Sequence, residues 1–185
     1  MAMDSYATIY FSYSALYKYA NSTLRSLLET ALRIGYFAFH PVEYGWWRKD
    51  KDWKTKTKNV WGDGYEYFQS IDKINEIDKK LTDAKVKIRM FDGSKYTIPK
   101  IYTELSKSVH TLYNSRQTIE DNYLPRFNEG NFNKWSIKYN EIMTEINLFY
   151  ISVFSKQFED LTISDKTIIL DIGLASEEIR KALGI

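Results

Sequence analysis

Six cations lie close together near the first quarter of this 185-residue chain. Arg48, Lys49, Lys51, Lys54, Lys56 and Lys58 stand against Asp50 and Asp52 alone, a local net charge of +4. Trp46, Trp47, Trp53 and Trp61 interleave with them. Such a segment suits three roles. Lysine and arginine at this density neutralise backbone phosphates, while indole rings stack on bases or wedge between them. Tryptophan and arginine also dominate the energetics of protein–protein contacts. In the third role the tryptophans fold back onto the body of the protein and the lysines stay hydrated. The cations are a stronger signal for phosphate than for base readout, because no segment reads as a recognition helix.

Other chemistry is poorly represented. The chain has no cysteine, which excludes disulfides, thiolate zinc sites and thiol nucleophiles together. Its two histidines, His40 and His110, have no carboxylate at ligand spacing, and no His-Glu-x-x-His or EF-hand pattern occurs. Gly62 and Gly64 are not followed by Lys-Ser/Thr, so no phosphate-cradling loop is expected. Nothing around Ser12, Ser14 or Ser115 resembles a nucleophile elbow. No metal, cofactor or small-molecule substrate is therefore expected. A net charge of +2 rules out a histone-like protein and an acidic DNA mimic. One pair remains as a catalytic candidate: Arg33 and His40, with six residues between them.

The elements that must position these groups read as helices. Over residues 5–39 one apolar pattern runs on: Ile9, Tyr13, Leu16, Ala20, Leu24, Leu27, Ala31 and Ile34 share a face. Asp4 or Ser5 is placed to cap its start, and Gly35 and Pro41 mark its end. A helix over 5–39 would be about 50 Å long, so it is either kinked or an arm. Tyr6, Tyr10, Tyr13, Tyr17 and Tyr19 surround much of its circumference, more than a monomer of this size buries easily. They argue for partners, unless the bundle covers the helix on all sides. Residues 41–64 read as an aromatic-basic loop. Asp63-Gly64-Tyr65-Glu66 reads as a capping box opening a helix to about Leu81, with Phe68, Ile71, Ile74 and Ile77 inward. Residues 86–98 switch to period two around Asp92-Gly93, the pattern of a small β-hairpin. Pro99 then opens a helix with Ile101, Leu105, Val109 and Leu112 on one face, and Arg116 on the same stripe beside Glu120. A longer helix follows from about Asn131 or Asn133 to Leu161, on Trp135, Tyr139, Ile142, Ile146, Phe149 and Val153. Ser164 is placed to cap a short helix ending at Gly173, and Ser176–Leu183 form the last one.

The fold class expected is thus mainly all-α. Residues 1–40 form an N-terminal helical segment or arm, 41–64 the loop, and 65–185 a helical bundle carrying the hairpin at about 86–98. The longest uncharged run near the start, the 13 residues between Asp4 and Lys18, is too short to span a bilayer. No basic stretch precedes it and no small-residue cleavage site accompanies it, so neither secretion nor membrane insertion is expected.

Two resemblances give these features a function. Arg33-x6-His40 resembles the active-site motif of HEPN-type ribonucleases, small helical bundles that often dimerise. The resemblance implies that Arg33 binds the scissile phosphate and His40 transfers a proton. Ile34, where that family favours a polar residue, departs from it. The whole chain is similar in architecture to the major coat proteins of filamentous archaeal viruses, through the run Tyr6–Phe39, the segment Trp46–Trp61 and the bundle from Tyr65 onward. That resemblance implies a structural protein of the virion, with an arm that wraps double-stranded DNA in A-form. It also implies contacts with itself or a paralogous subunit and, where the virion is enveloped, with lipid. Because the arm carries only Lys18, Arg25 and Arg33 as cations, DNA contact is expected at Arg48, Lys49, Lys51, Trp53, Lys54, Lys56 and Lys58. Tyr6, Tyr10, Tyr13, Tyr17, Trp46, Trp47 and Trp61 are expected at protomer interfaces. If neither resemblance applies, the chain is a small cytoplasmic interaction module with an aromatic surface.

Overall fold

The computed structural model describes residues 1–49, 79–80, 83, 97–109, 126–173 and 175–185. They are 85% helical and include no strand, in keeping with an all-α chain. The helices are α1 (Ala2–Tyr13), α2 (Tyr17–Phe39), α3 (Pro41–Lys49), α4 (Thr97–Val109), α5 (Glu129–Val153), α6 (Ser155–Glu159), α7 (Ile163–Ile172) and α8 (Glu177–Ala182). They group into two compact units, one of Met1–Ala31 with Pro99–Ile142, the other of Leu32–Ile98 with Met143–Ile185.

In the first unit, the single helix expected over 5–39 is divided. α1 stops at Tyr13 and Ala15 takes a left-handed conformation, φ 59°. The Leu16 amide donates to the Phe11 carbonyl (2.8 Å) and the Ala15 amide to Ser12 (3.1 Å). These are the two bonds of a Schellman stop, with alanine where glycine is usual. The chain then turns back as α2. Small hydroxylated residues let the two helices approach. Thr8 and Ser12 are fully buried, and Thr8 Oγ1 donates to the Ala20 carbonyl at 2.7 Å. α5 contributes Trp135, whose Nε1 donates to Thr8 Oγ1 (3.3 Å), and Tyr139, whose hydroxyl meets Ser5 Oγ (3.0 Å). No side chain caps α1, so the expected cap at Asp4 or Ser5 is absent; Asp4 lies in its first turn.

The expected stripe holds along α2, where Ala20, Leu24, Leu27 and Ala31 are buried with Leu28. Ile101 and Leu105 of α4 and Trp135 and Ile142 of α5 complete that core. Tyr13 and Ile34, expected on the same buried face, are exposed. The division at Ala15 takes Tyr13 out of the α2 register, whereas Ile34 lies within α2 and no contact explains its exposure. Arg25 lies over the Tyr102 ring (4.4 Å), bonds its hydroxyl, and pairs with Glu29 at 3.1 Å. Burial, reinforced by Glu29 and opposed by Arg25, raises the Tyr102 pKa.

In the second unit, Leu32, Tyr36, Ile146, Leu148, Phe149, Ile151, Leu170 and Ile179 are buried. Gly35 does not end α2. It sits inside the helix because a Cβ there would run into the Phe149 ring. Gly173 does stop α7, and a Cβ at it would meet the Asn147 side chain, whose Nδ2 donates to the Ile169 carbonyl (3.1 Å). The long helix expected to reach Leu161, α5, ends at Val153; Phe154 interrupts it before α6. α7 is capped by Thr162, two residues before the expected Ser164, through a bond from the Asp165 amide (3.2 Å). Ser176 caps α8 as its position suggests, accepting from the Ile179 amide.

Two further expectations need correction. Residues 41–49 are not loop. Pro41 takes the first position of α3, where its fixed φ suits a helix and its missing N–H costs nothing. Ile98, assigned to the hairpin's second strand, is helical. The rest of that hairpin, 86–96, and residues 50–64 of the loop lie outside the described residues, as does the capping box at Asp63.

Candidate interaction surfaces

α3 contains no buried residue. Val42 and Trp46 are more than half exposed, and Tyr44 and Trp47 little less. Phe37 at the end of α2 packs against Tyr44 (5.6 Å between ring centroids) and Trp47 (5.3 Å). The Arg48 guanidinium lies 5.9 Å over the Tyr44 ring. The helix is charged in the sense its dipole favours, with Glu43 in the first turn and Arg48 and Lys49 in the last. Two outward cations thus sit beside exposed indoles at the point where the chain runs on into Lys51, Lys54, Lys56 and Lys58. Of the expected nucleic-acid residues, Arg48 and Lys49 are described and exposed. Lys51, Trp53, Lys54, Lys56 and Lys58 lie outside the described residues, as does Trp61.

The junction between α2 and α3 holds the catalytic candidate. The His40 ring stacks on Tyr36 at 4.0 Å, nearly parallel. His40 Nδ1 lies 2.9 Å from the Tyr36 carbonyl. A carbonyl only accepts, so Nδ1 carries the proton and, in the neutral ring, Nε2 is the unprotonated nitrogen. The Tyr36 hydroxyl donates to Glu43 Oε2 at 2.8 Å. Arg33 precedes His40 by seven residues, two helical turns, which places it on the same side about 10 Å back along the axis. Both residues are half-buried. His110 and Arg116 lie outside the described residues. Among the described residues, no group of three acidic or histidine side chains is placed to hold a metal ion.

The second surface is the outer side of α1. Met3, Tyr6, Tyr10 and Tyr13 follow one another at spacings of 3, 4 and 3, a single stripe of the helix. They are 80%, 73%, 68% and 67% exposed. Tyr13 continues it onto Phe132 of α5 (5.2 Å), and Phe132 touches Phe127 (5.5 Å), itself exposed. Tyr17, expected in the same interface, is only half exposed. Its hydroxyl is tied to the Asn128 backbone, donating to the carbonyl at 3.0 Å. Met3, Val42, Tyr44 and Phe127 were missed as surface residues. The 3-4-3 spacing of Met3 with the tyrosines was the available signal.

A third feature was not anticipated. Tyr150, Phe154 and Phe158, four residues apart, line an apolar groove of about 340 Å³ with Leu161 and Ile169. Burial there raises the Tyr150 pKa far above the ordinary tyrosine range. No helix among the described residues is long and apolar enough to cross a membrane. Compared with protein-family models, curated proteins and solved structures, the chain matches none.

Proposed function

We propose that this chain is a non-enzymatic structural protein that assembles around nucleic acid, as a virion coat protein does around double-stranded DNA. The observation that carries the reading is α3. A nine-residue helix with no buried residue presents Trp46, Trp47, Arg48 and Lys49 outward, at the head of a segment with four more lysines. A helix so placed is stabilised little by its own chain, and its composition suits a polyanion with a second protein surface alongside. The mechanism is shape and charge. Arg48, Lys49, Lys51, Lys54, Lys56 and Lys58 neutralise phosphates, Trp53 contacts bases or sugars, and Tyr and Trp burial locks protomers together.

Binding of this kind is indifferent to sequence and steeply salt-dependent. About six phosphate contacts weaken affinity by roughly 10³-fold between 50 and 200 mM salt. Replacing the six cations with glutamine removes duplex binding and leaves the helical content and melting temperature unchanged. Unaltered affinity in that variant sinks the assignment.

A second reading is favoured by one contact. With Nδ1–H of His40 held by the Tyr36 carbonyl, Nε2 is the ring nitrogen that would accept a proton, as a HEPN-like ribonuclease with Arg33 on the phosphate requires. RNA cleavage lost in His40→Ala supports it; equal cleavage by the variant rejects it.

A further inference from the structure

Among the described residues nothing covers the outer stripe of α1, and its composition selects an occupant. Tyr6, Tyr10 and Tyr13, with Met3 before them, are 67–80% exposed, whereas the opposite side of the helix is buried on Thr8 and Ser12. No charged residue lies on the stripe; Asp4, on the flank, is the single carboxylate of α1, which has no Lys, Arg or His. A nucleic acid gains nothing from such a face, because it offers no cation to phosphate. A charged partner would leave its own charges desolvated against it. A second copy of the same face meets neither cost, since neutral surfaces do not repel themselves. The 3-4-3 spacing is also that of a two-helix seam, in which alternate knobs enter the facing helix. Tyrosine and methionine are the residues enriched at interface cores, where lysine and the acids are depleted.

The area fits as well. Side chains of this size and exposure contribute on the order of 150 Å² each. The four residues with the adjoining Phe127 then offer roughly 700 Å² per copy, near the ~800 Å² per partner of a specific interface.

We propose that α1 pairs with α1 of a second copy about a two-fold axis, with Tyr6 and Tyr10 at its centre. The inference rests on the reading of these tyrosines as a protomer contact and adds their partner. It needs no nucleic acid. The protomer that coats nucleic acid is, on this account, a preformed pair joined by the tyrosines.

The test is sedimentation equilibrium of the full chain without nucleic acid, up to a few hundred micromolar. The mass should rise from 21.9 kDa toward twice that value. The double variant Tyr6→Glu with Tyr10→Glu should weaken pairing at least tenfold while retaining the wild-type circular dichroism and melting temperature; Tyr10→Phe should still pair. The chain has no cysteine, so a Tyr10→Cys variant provides a second readout. Mild oxidation should join two Tyr10→Cys chains, whereas Asn140→Cys, an exposed control, should stay single. A monomer at every concentration, or a dimer untouched by the double glutamate variant, overturns the pairing. The six-glutamine variant separates this claim from the functional one. Its dimer should persist, and a wild-type dimer that ignores DNA would remove the coat reading while leaving the α1 seam intact.

Discussion

α1 and α2 are neighbours in sequence and pack on each other, yet they are built in opposite senses. α1 is on average the more apolar of the two. It nevertheless buries Thr8 and Ser12 and turns Met3, Tyr6, Tyr10 and Tyr13 to the outside. α2 buries Ala20, Leu24, Leu27, Leu28 and Ala31 in the ordinary way. The difference separates two jobs that apolar residues do. On α2 they hold the fold, and on α1 they are unspent surface. The inward side of α1 works by close approach and hydrogen bonding, from Thr8 to the Ala20 carbonyl and from Trp135 to Thr8.

That contrast can be broken by substitution, and the largest effect should come from α2. Leu24→Ala, at a fully buried site, should cost about 2–5 kcal/mol in chemical denaturation. Tyr10→Ala on α1 should change stability by less than about 0.5 kcal/mol. Comparable losses at the two sites would mean that the tyrosine stripe is part of the core. Next comes the polar interior of α1. Thr8→Val keeps the shape but strands the Trp135 N–H, and should cost roughly 1–3 kcal/mol; a neutral result would deny that hydroxyl its role.

Two helical glycines sharpen the same distinction between core and surface. Gly35→Ala drives a methyl into the buried Phe149 ring and should destabilise by about 1–3 kcal/mol. Gly45→Ala on α3 meets nothing within 4 Å and should stabilise by about 0.5–1 kcal/mol. A further small gain is expected at the turn between α1 and α2. Ala15→Gly relieves the left-handed alanine at φ 59° and should raise stability by up to about 1 kcal/mol. Each value is read from the shift of the urea midpoint.

The same residues explain what could be read in advance. The α2 stripe and the all-α class were legible because leucines and alanines at helical spacing have one stable place. The stop after α1 was not, because its Schellman turn uses Ala15 rather than glycine and leaves the apolar pattern unbroken. Tyr13 was placed on the buried face for the same reason, tyrosine being equally at home in a core or an interface. Gly35 looked like a terminator because a collision with Phe149, distant in sequence, is invisible locally. Pro41 marked a boundary correctly, but it opens α3 as well as closing α2. For the candidate surfaces, the types were legible at Arg48, Lys49, Trp46 and Trp47. The groove beside Tyr150 was not, since it depends on α7 lying against α5 and α6.

The central claim is assembly on nucleic acid, and the most direct test is the light-scattering mass of the pure chain with and without duplex DNA. The account predicts a mass that grows far beyond the free protein when DNA is added at low salt and collapses back at high salt. A discrete species of unchanged mass at both salt concentrations would contradict it.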